Sequence, residues 1–127
     1  MDRLAFGHWL DRYVDAWKTY SEEAIGELFS EDARYRYHPW DDADATVSGR
    51  EQIVANWLAN RDRPDSWAAE YRPWVTDGGH AVAVGVSRYL GPDGVTVERE
   101  YHNVFLCRFD ADGRCTEFTE YYMRRPD

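Results

Sequence analysis

Beyond residue 64 the sequence settles into a period of two, interrupted only by turn signals, and this constrains the fold more than any other feature. Residues 67–76 read as a strand, and Pro73 inside them points to a sheet edge or a bulge, since proline has no N–H for the ladder. Asp77-Gly78-Gly79 is a turn, residues 81–90 are a valine-rich strand, and Gly91-Pro92-Asp93-Gly94 is a second turn. Residues 95–109 form a long strand, Asp110-Ala111-Asp112-Gly113 a hairpin loop, and residues 115–123 the last strand. Four strands joined this way are an antiparallel meander, which must bury one face against another layer.

The N-terminal half supplies that layer. Phe6, Trp9, Leu10, Tyr13, Val14 and Trp17 recur at spacings of three and four, so residues 4–20 read as a helix with one apolar stripe. Ser21 followed by Glu22 and Glu23 is a helix start, with a capping hydroxyl and then acids at the positive end of the dipole. That helix points Ile25, Leu28 and Phe29 inward and ends near Ser30. Residues 33–40 read as a short strand, followed by an acidic loop at Asp41, Asp42 and Asp44. A third helix begins around Ser48-Gly49 and buries Ile53, Val54, Trp57 and Leu58. Helices first and a meander after them give an α+β fold, with the helices covering one face of a curved sheet.

A chain of 127 residues fits one domain with one core, and neither a linker nor a repeat divides it. Aromatic residues make up 16%, with six Trp and nine Tyr. Rings in that number either fill the core or line a cavity or interface, and composition leaves both open. The formal charge of −9 and the absence of a basic stripe disfavour nucleic acid and anionic lipid as partners. No apolar run reaches the roughly 20 residues that span a bilayer, and the acids Asp2 and Asp11 break up any signal-like core. Two cysteines, Cys107 and Cys115, form neither a disulfide framework nor a CxxC pair. A cytoplasmic protein with reduced thiols is the expectation.

The order of elements resembles the nuclear transport factor 2-like (cystatin-like) superfamily, in its SnoaL-like branch. The resemblance rests on Tyr13-Val14 and Ala16-Trp17 in the first helix, then Ile25 through Ala33, then Gly49-Arg50-Glu51-Gln52-Ile53. It continues through residues 105–109, Asp112-Gly113-Arg114 and Glu120-Tyr121-Tyr122. It implies a cone in which the sheet curls around the first helix and leaves a pocket for a small molecule. It implies as well a homodimer through the outer sheet face. The superfamily includes isomerases, hydrolases, cyclases, dehydratases and non-enzymatic binders, so the fold alone does not choose a chemistry.

Strand register implied by the family and counted from Gly113 turns Phe118, Glu120 and Tyr122 inward, and with them Tyr101, Asn103 and Phe105. Glu117, Thr119, Tyr121, Glu100 and His102 then face outward. An inward Glu120 between rings would be desolvated, which lifts its pKa toward the range useful for acid–base catalysis. In similar epoxide hydrolases and cyclases an Asp at this last-strand position is the acid or base. The competing reading is a structural carboxylate bonded to tyrosines or paired with an arginine such as Arg88. His38, before Pro39, offers a second acid–base group close to physiological pH, or a rim histidine beside the acidic loop. Tyr13 matches the tyrosine that donates to an oxyanion in ketosteroid isomerases, but Phe105 stands where their second acid would be. Tyr35 matches a water-holding tyrosine of the epoxide hydrolases, while Tyr37 replaces their asparagine. Asn103, polar on an apolar face, needs Glu120, a water or a ligand as partner.

The expected wall comprises Trp17, Trp57, Phe105, Phe118 and Tyr122, with Tyr101 on the same face and Tyr13, Tyr35, Tyr37 and Asn103 as orienting groups. His8, His38, His80 and His102 show no metal-ligand spacing, and no phosphate-binding glycine loop occurs, so neither metal nor nucleotide cofactor is implied. Two functions follow. One is cofactor-independent hydration, epoxide opening, isomerisation or cyclisation of a small apolar or oxygenated molecule. The other is a non-enzymatic ligand-binding or oligomerisation module.

Overall fold

Asp2 opens the first helix, its Oδ1 accepting from the Ala5 N–H at 2.8 Å in the computed structural model, which describes residues 1–127. Helix α1 (Arg3–Thr19) ends where Tyr20 turns left-handed at φ 50°. Its stripe buries Phe6, Trp9, Leu10, Tyr13 and Ala16, while Val14 and Trp17 are half-buried at its edge. Ser21 caps α2 (Glu22–Leu28), accepting from Ala24 N–H.

Helix α2 is shorter than the periodicity suggests. Phe29 leaves it with extended backbone and begins β1 (Phe29–Arg36) at once, so the strand starts four residues before the expected Ala33. The cause is tertiary: Phe29 is fully buried and pairs with Cys115 near the far end of the chain. That pairing also changes the sheet type, because β1 lies parallel to the last strand, β6 (Cys115–Arg124). The sheet is mixed, with one parallel pair at the edge of an antiparallel meander. A two-residue strand, β2 (Val47–Ser48), pairs with Arg34 and Tyr35 and has no sequence signal of its own. Gly49 follows at φ 91°, a backbone geometry that side chains resist, and starts α3 (Arg50–Ala59).

The meander comprises β3 (Trp67–Asp77), β4 (His80–Leu90), β5 (Val97–Phe109) and β6. Sheet order is β2-β1-β6-β5-β4-β3, which puts β3 on the edge, and the register shifts between Pro73 and Val75. Pro73 thus sits on an edge strand and at a bulge, the two settings that spare a missing N–H. Strand β4 alternates small inward residues with outward valines. Its inward residues are the small Ala81, Ala83, Gly85 and Ser87 and then Tyr89, while Val82, Val84 and Val86 face out. Gly85 lies across from Tyr71, and a Cβ there would collide with the Glu70 carbonyl and the Tyr71 ring.

One core cluster of 19 buried residues runs from α1 through α2, α3 and the sheet. Its rings meet mainly edge to face: Trp9 lies 5.2 Å from Phe109 and 6.1 Å from Phe29, at 83° and 88°. No helix is long and apolar enough to cross a membrane.

Candidate functional site

A cavity of about 370 Å³ lies between the sheet and α1 and α3. Each neighbouring element contributes rings. Helix α1 and the residue after it give Tyr13, Trp17 and Tyr20; β1 gives Tyr35 and Tyr37; α3 gives Trp57; β3 and β4 give Tyr71 and Tyr89. Polar groups come from Asn56, Asn60, Asp62, Ser87 and Glu120.

Most of these polar atoms are tied to one another. The Tyr13 and Tyr35 hydroxyls share a hydrogen bond of 2.8 Å, and the Tyr37 hydroxyl donates to Asn56 Oδ1 at 2.6 Å. Trp17 Nε1 donates to Asp62 Oδ2 at 2.9 Å, and its ring stacks on Trp67 at 3.5 Å between centroids. Asp62 N–H in turn donates to the Tyr20 hydroxyl at 2.8 Å. Helix α1 thus holds both the deep end and the mouth of the cavity.

The buried Trp57 Nε1 has no partner, and Glu120 is the charged exception. It sits on β6 directly across from Phe105, and its pKa is pushed up from 4.5 to about 7 by burial alone, with no counter-charge opposing the rise. Its charge spreads through the cavity. Burial raises the pKa values of Tyr13, Tyr35 and Tyr71, and the Glu120 carboxylate raises them further. Tyr37 is pushed to about 12 for the same two reasons, burial first. All these phenols stay protonated at neutral pH, whereas Glu120 is divided between its acid and its base.

The expected site residues divide into three groups. Tyr13, Trp17, Tyr35, Tyr37, Trp57 and Glu120 meet at the cavity. Phe105 and Phe118 are buried behind them, with Phe118 stacked between Tyr13 and Tyr35 at 5.5 and 4.5 Å. Asn103 is also buried; its amide donates to Ser87 Oγ at 2.9 Å, leaving Oδ1 without a partner. Tyr101, Tyr122 and His38 lie off the cavity. Tyr101 packs edge-on against Tyr89 and Tyr122, and His38 stacks on Trp40, its ring nitrogens bonding Asp41 and the Tyr122 hydroxyl at 3.1 and 2.9 Å. His38 and Tyr122 instead border a depression of about 580 Å³ with outward-facing Val84, Val86 and Val104, which Glu120 also touches. Arg88 is on the outer face, paired with Glu70 and Glu100, and so does not neutralise Glu120.

This arrangement is a recognised architecture. A family model described as a SnoaL-like domain matches residues 10–118, nearly the whole cone from Leu10 to the strand that carries Glu120. The chain belongs to the SnoaL-like domain family. Solved structures share the fold. A nuclear transport factor 2-like protein of unknown function from Burkholderia xenovorans aligns at TM-score 0.68 and 17% identity, over 94% of this chain and 84% of that one. A second such protein, from Cytophaga hutchinsonii, aligns at 0.65 and 12%, over 92% and 98%. A domain of unknown function with a cystatin-like fold, from Nostoc punctiforme, aligns at 0.67 and 17%, over 99% and 78%. No curated protein matches in sequence. At these identities the neighbours show the fold and leave the chemistry to the side chains.

Several lining residues escaped the sequence reading: Tyr20, Asn56, Asn60, Asp62, Tyr71, Ser87 and Tyr89. Parity could have found three of them, because Tyr71, Ser87 and Tyr89 share the inward register of Trp67 and Ala83. Asp62 lies in the segment after α3, where no periodicity indicates direction.

Proposed function

We propose that the cavity binds a small organic molecule and that Glu120 performs cofactor-independent acid–base chemistry on it. One observation supports this reading above the others: a carboxyl group held in an aromatic cavity with no counter-charge, its pKa moved to about 7. Such a group can take a proton from a bound molecule or water and return it at another position, as hydration, epoxide opening, isomerisation and cyclisation all require. The hydrogen-bonded Tyr13–Tyr35 pair and Tyr37 orient the ligand's oxygen or nitrogen atoms, and Trp17 and Trp57 form the walls. His38 is bonded to Asp41 and Tyr122, so no step is placed on it.

A non-enzymatic module predicts a plugged interior and Glu120 locked to an arginine. The open cavity weighs against an oligomerisation module, and with Arg88 engaged elsewhere Glu120 is not locked to an arginine, which favours the catalytic reading. The outward valines Val82, Val84 and Val86, with Val104, Leu106 and Tyr121, support a homodimer through this face. Light scattering that shows only monomer would remove that part. Two unpaired buried thiols, Cys107 and Cys115, suit a reducing cytoplasmic setting.

Native mass spectrometry of the purified protein is the direct test, since a retained small molecule supplies the substrate candidate. Turnover of that molecule, or of its analogues, should fall at least about 100-fold in Glu120→Gln, the usual scale for losing a general acid–base group. Unchanged turnover in the variant sinks the assignment.

A further inference from the structure

The ionic character of the cavity wall is one-sided. All eight apolar residues that line it are Tyr or Trp, and no aliphatic side chain is among them. Two carboxylates, Glu120 and Asp62, belong to the lining, whereas no Lys, Arg or His does. An anionic ligand would face two like charges without a partner. A neutral hydrocarbon would gain nothing from the negative faces of the rings that aliphatic walls would not also give. A cation gains from both, because ring quadrupoles and carboxylates attract the same sign of charge.

The two acids are staggered in depth. Tyr13 and Tyr35, at the inner end, feel the charge of Glu120. Tyr20, at the mouth, feels that of Asp62, and Tyr37 and Tyr89 feel both. Two rings of the lining already hold cations: the Arg99 guanidinium lies 4.5 Å from the Tyr89 ring centre and that of Arg61 lies 5.4 Å from Tyr20.

We infer that the ligand of this cavity is an organic cation, an ammonium group on a small organic body, seated among Trp17, Tyr37, Trp57 and Tyr89 between Asp62 and Glu120. The inference rests on the reading of the cavity as the ligand site and adds the substrate's charge to it. A bound cation would also draw the Glu120 proton off, leaving a carboxylate base beside the bound molecule.

The groups facing Glu120 in the cavity are the phenols of Tyr13 on α1, Tyr35 and Tyr37 on β1, Tyr71 on β3 and Tyr89 on β4, and Asp62 from the segment after α3; His38 and His102 border with it the outer depression. The phenols all titrate far above neutrality and no His lines the cavity, so within it Glu120 is the group that changes charge around pH 7. For a ligand of fixed charge, affinity should follow its ionised fraction, rising about tenfold from pH 6 to pH 8.

Tryptophan fluorescence and calorimetric titration of the full chain test this with matched probes. These are choline against its uncharged carbon isostere 3,3-dimethylbutan-1-ol, and benzyltrimethylammonium against benzyl alcohol and benzoate. The expected result is a cation at least tenfold tighter than its neutral partner, with benzoate not binding. Glu120→Gln should abolish the rise between pH 6 and 8. Asp62→Asn, which keeps an acceptor for Trp17 Nε1, should weaken the cation about fivefold and leave the pH profile in place. Neutral probes that bind as tightly as the cations overturn the charge assignment while the ligand site stands. If no probe binds, the site reading falls with it.

Discussion

The two ends of the cone share α1, β1 and β6 and differ in how many polar atoms their side chains carry. At the closed end, α1 contributes Phe6 and Trp9, β1 Phe29, β5 Phe109 and β6 Cys115, all buried, and the Trp9 indole N–H donates to the Leu28 carbonyl at 3.1 Å. Toward the mouth, α1 contributes Tyr13 and Trp17, β1 Tyr35 and Tyr37, and β6 changes from Phe118 to Glu120. Ring packing continues from one end to the other, with Tyr13 and Phe118 stacked at 5.5 Å. The closed end therefore stabilises the fold by removing apolar surface from water, and the mouth gives up part of that gain to hold hydroxyls and a carboxylate. Stability and chemistry are divided along one axis, as expected where a functional site is stabilised by the rest of the domain.

This division is open to attack from both ends. The largest loss should come from Trp9→Ala at the closed end, which empties a site that five other rings touch and should destabilise the protein by about 3–5 kcal/mol in urea denaturation. A loss below 1 kcal/mol would mean that the closed end is not where stability resides.

Next is the pH response of the mouth. Glu120 binds its proton more tightly in the folded state (about 7) than in the unfolded chain (4.5). Its contribution is fully present below pH 4.5 and is lost as pH rises to 7, where the deficit reaches about 3 kcal/mol. Glu120→Gln should lack this decline, so denaturation of both proteins at pH 5 and pH 8 should show curves that diverge with rising pH. Parallel curves would show that the carboxyl is not desolvated.

A smaller effect, about 1–3 kcal/mol, is expected for Gly85→Ala, where the new methyl meets the Glu70 carbonyl and the Tyr71 ring. Tyr71 should then be displaced into the cavity, weakening ligand binding along with stability. Smallest is Tyr13→Phe, which leaves the Tyr35 hydroxyl without its partner and should cost about 1 kcal/mol with little change in fold by circular dichroism.

Periodicity and turn chemistry made the meander and the helices readable, since each depends on neighbours a few residues apart. Alternation counted from Gly113 grouped Phe118, Glu120 and Tyr122; the structure has Glu120 at the cavity and Phe118 buried behind it, but Tyr122 off it. The early start of β1 and its parallel pairing left no local trace, because the partner of Phe29 is Cys115. Nor could spacing show that His38 would turn to Asp41 and Tyr122, or that Asp62 would reach back to the Trp17 indole.

The sequence alone thus determined which residues could share a strand face or a helix stripe, through the fixed periods of the two structures. Tertiary structure alone decided how the faces meet: that β1 lies beside β6, that rings of α1, α3 and the sheet surround a cavity, and that Arg88 stays outside it. The pKa of Glu120 follows from those distances, because desolvation depends on what surrounds a carboxyl in space and not on its neighbours in the chain.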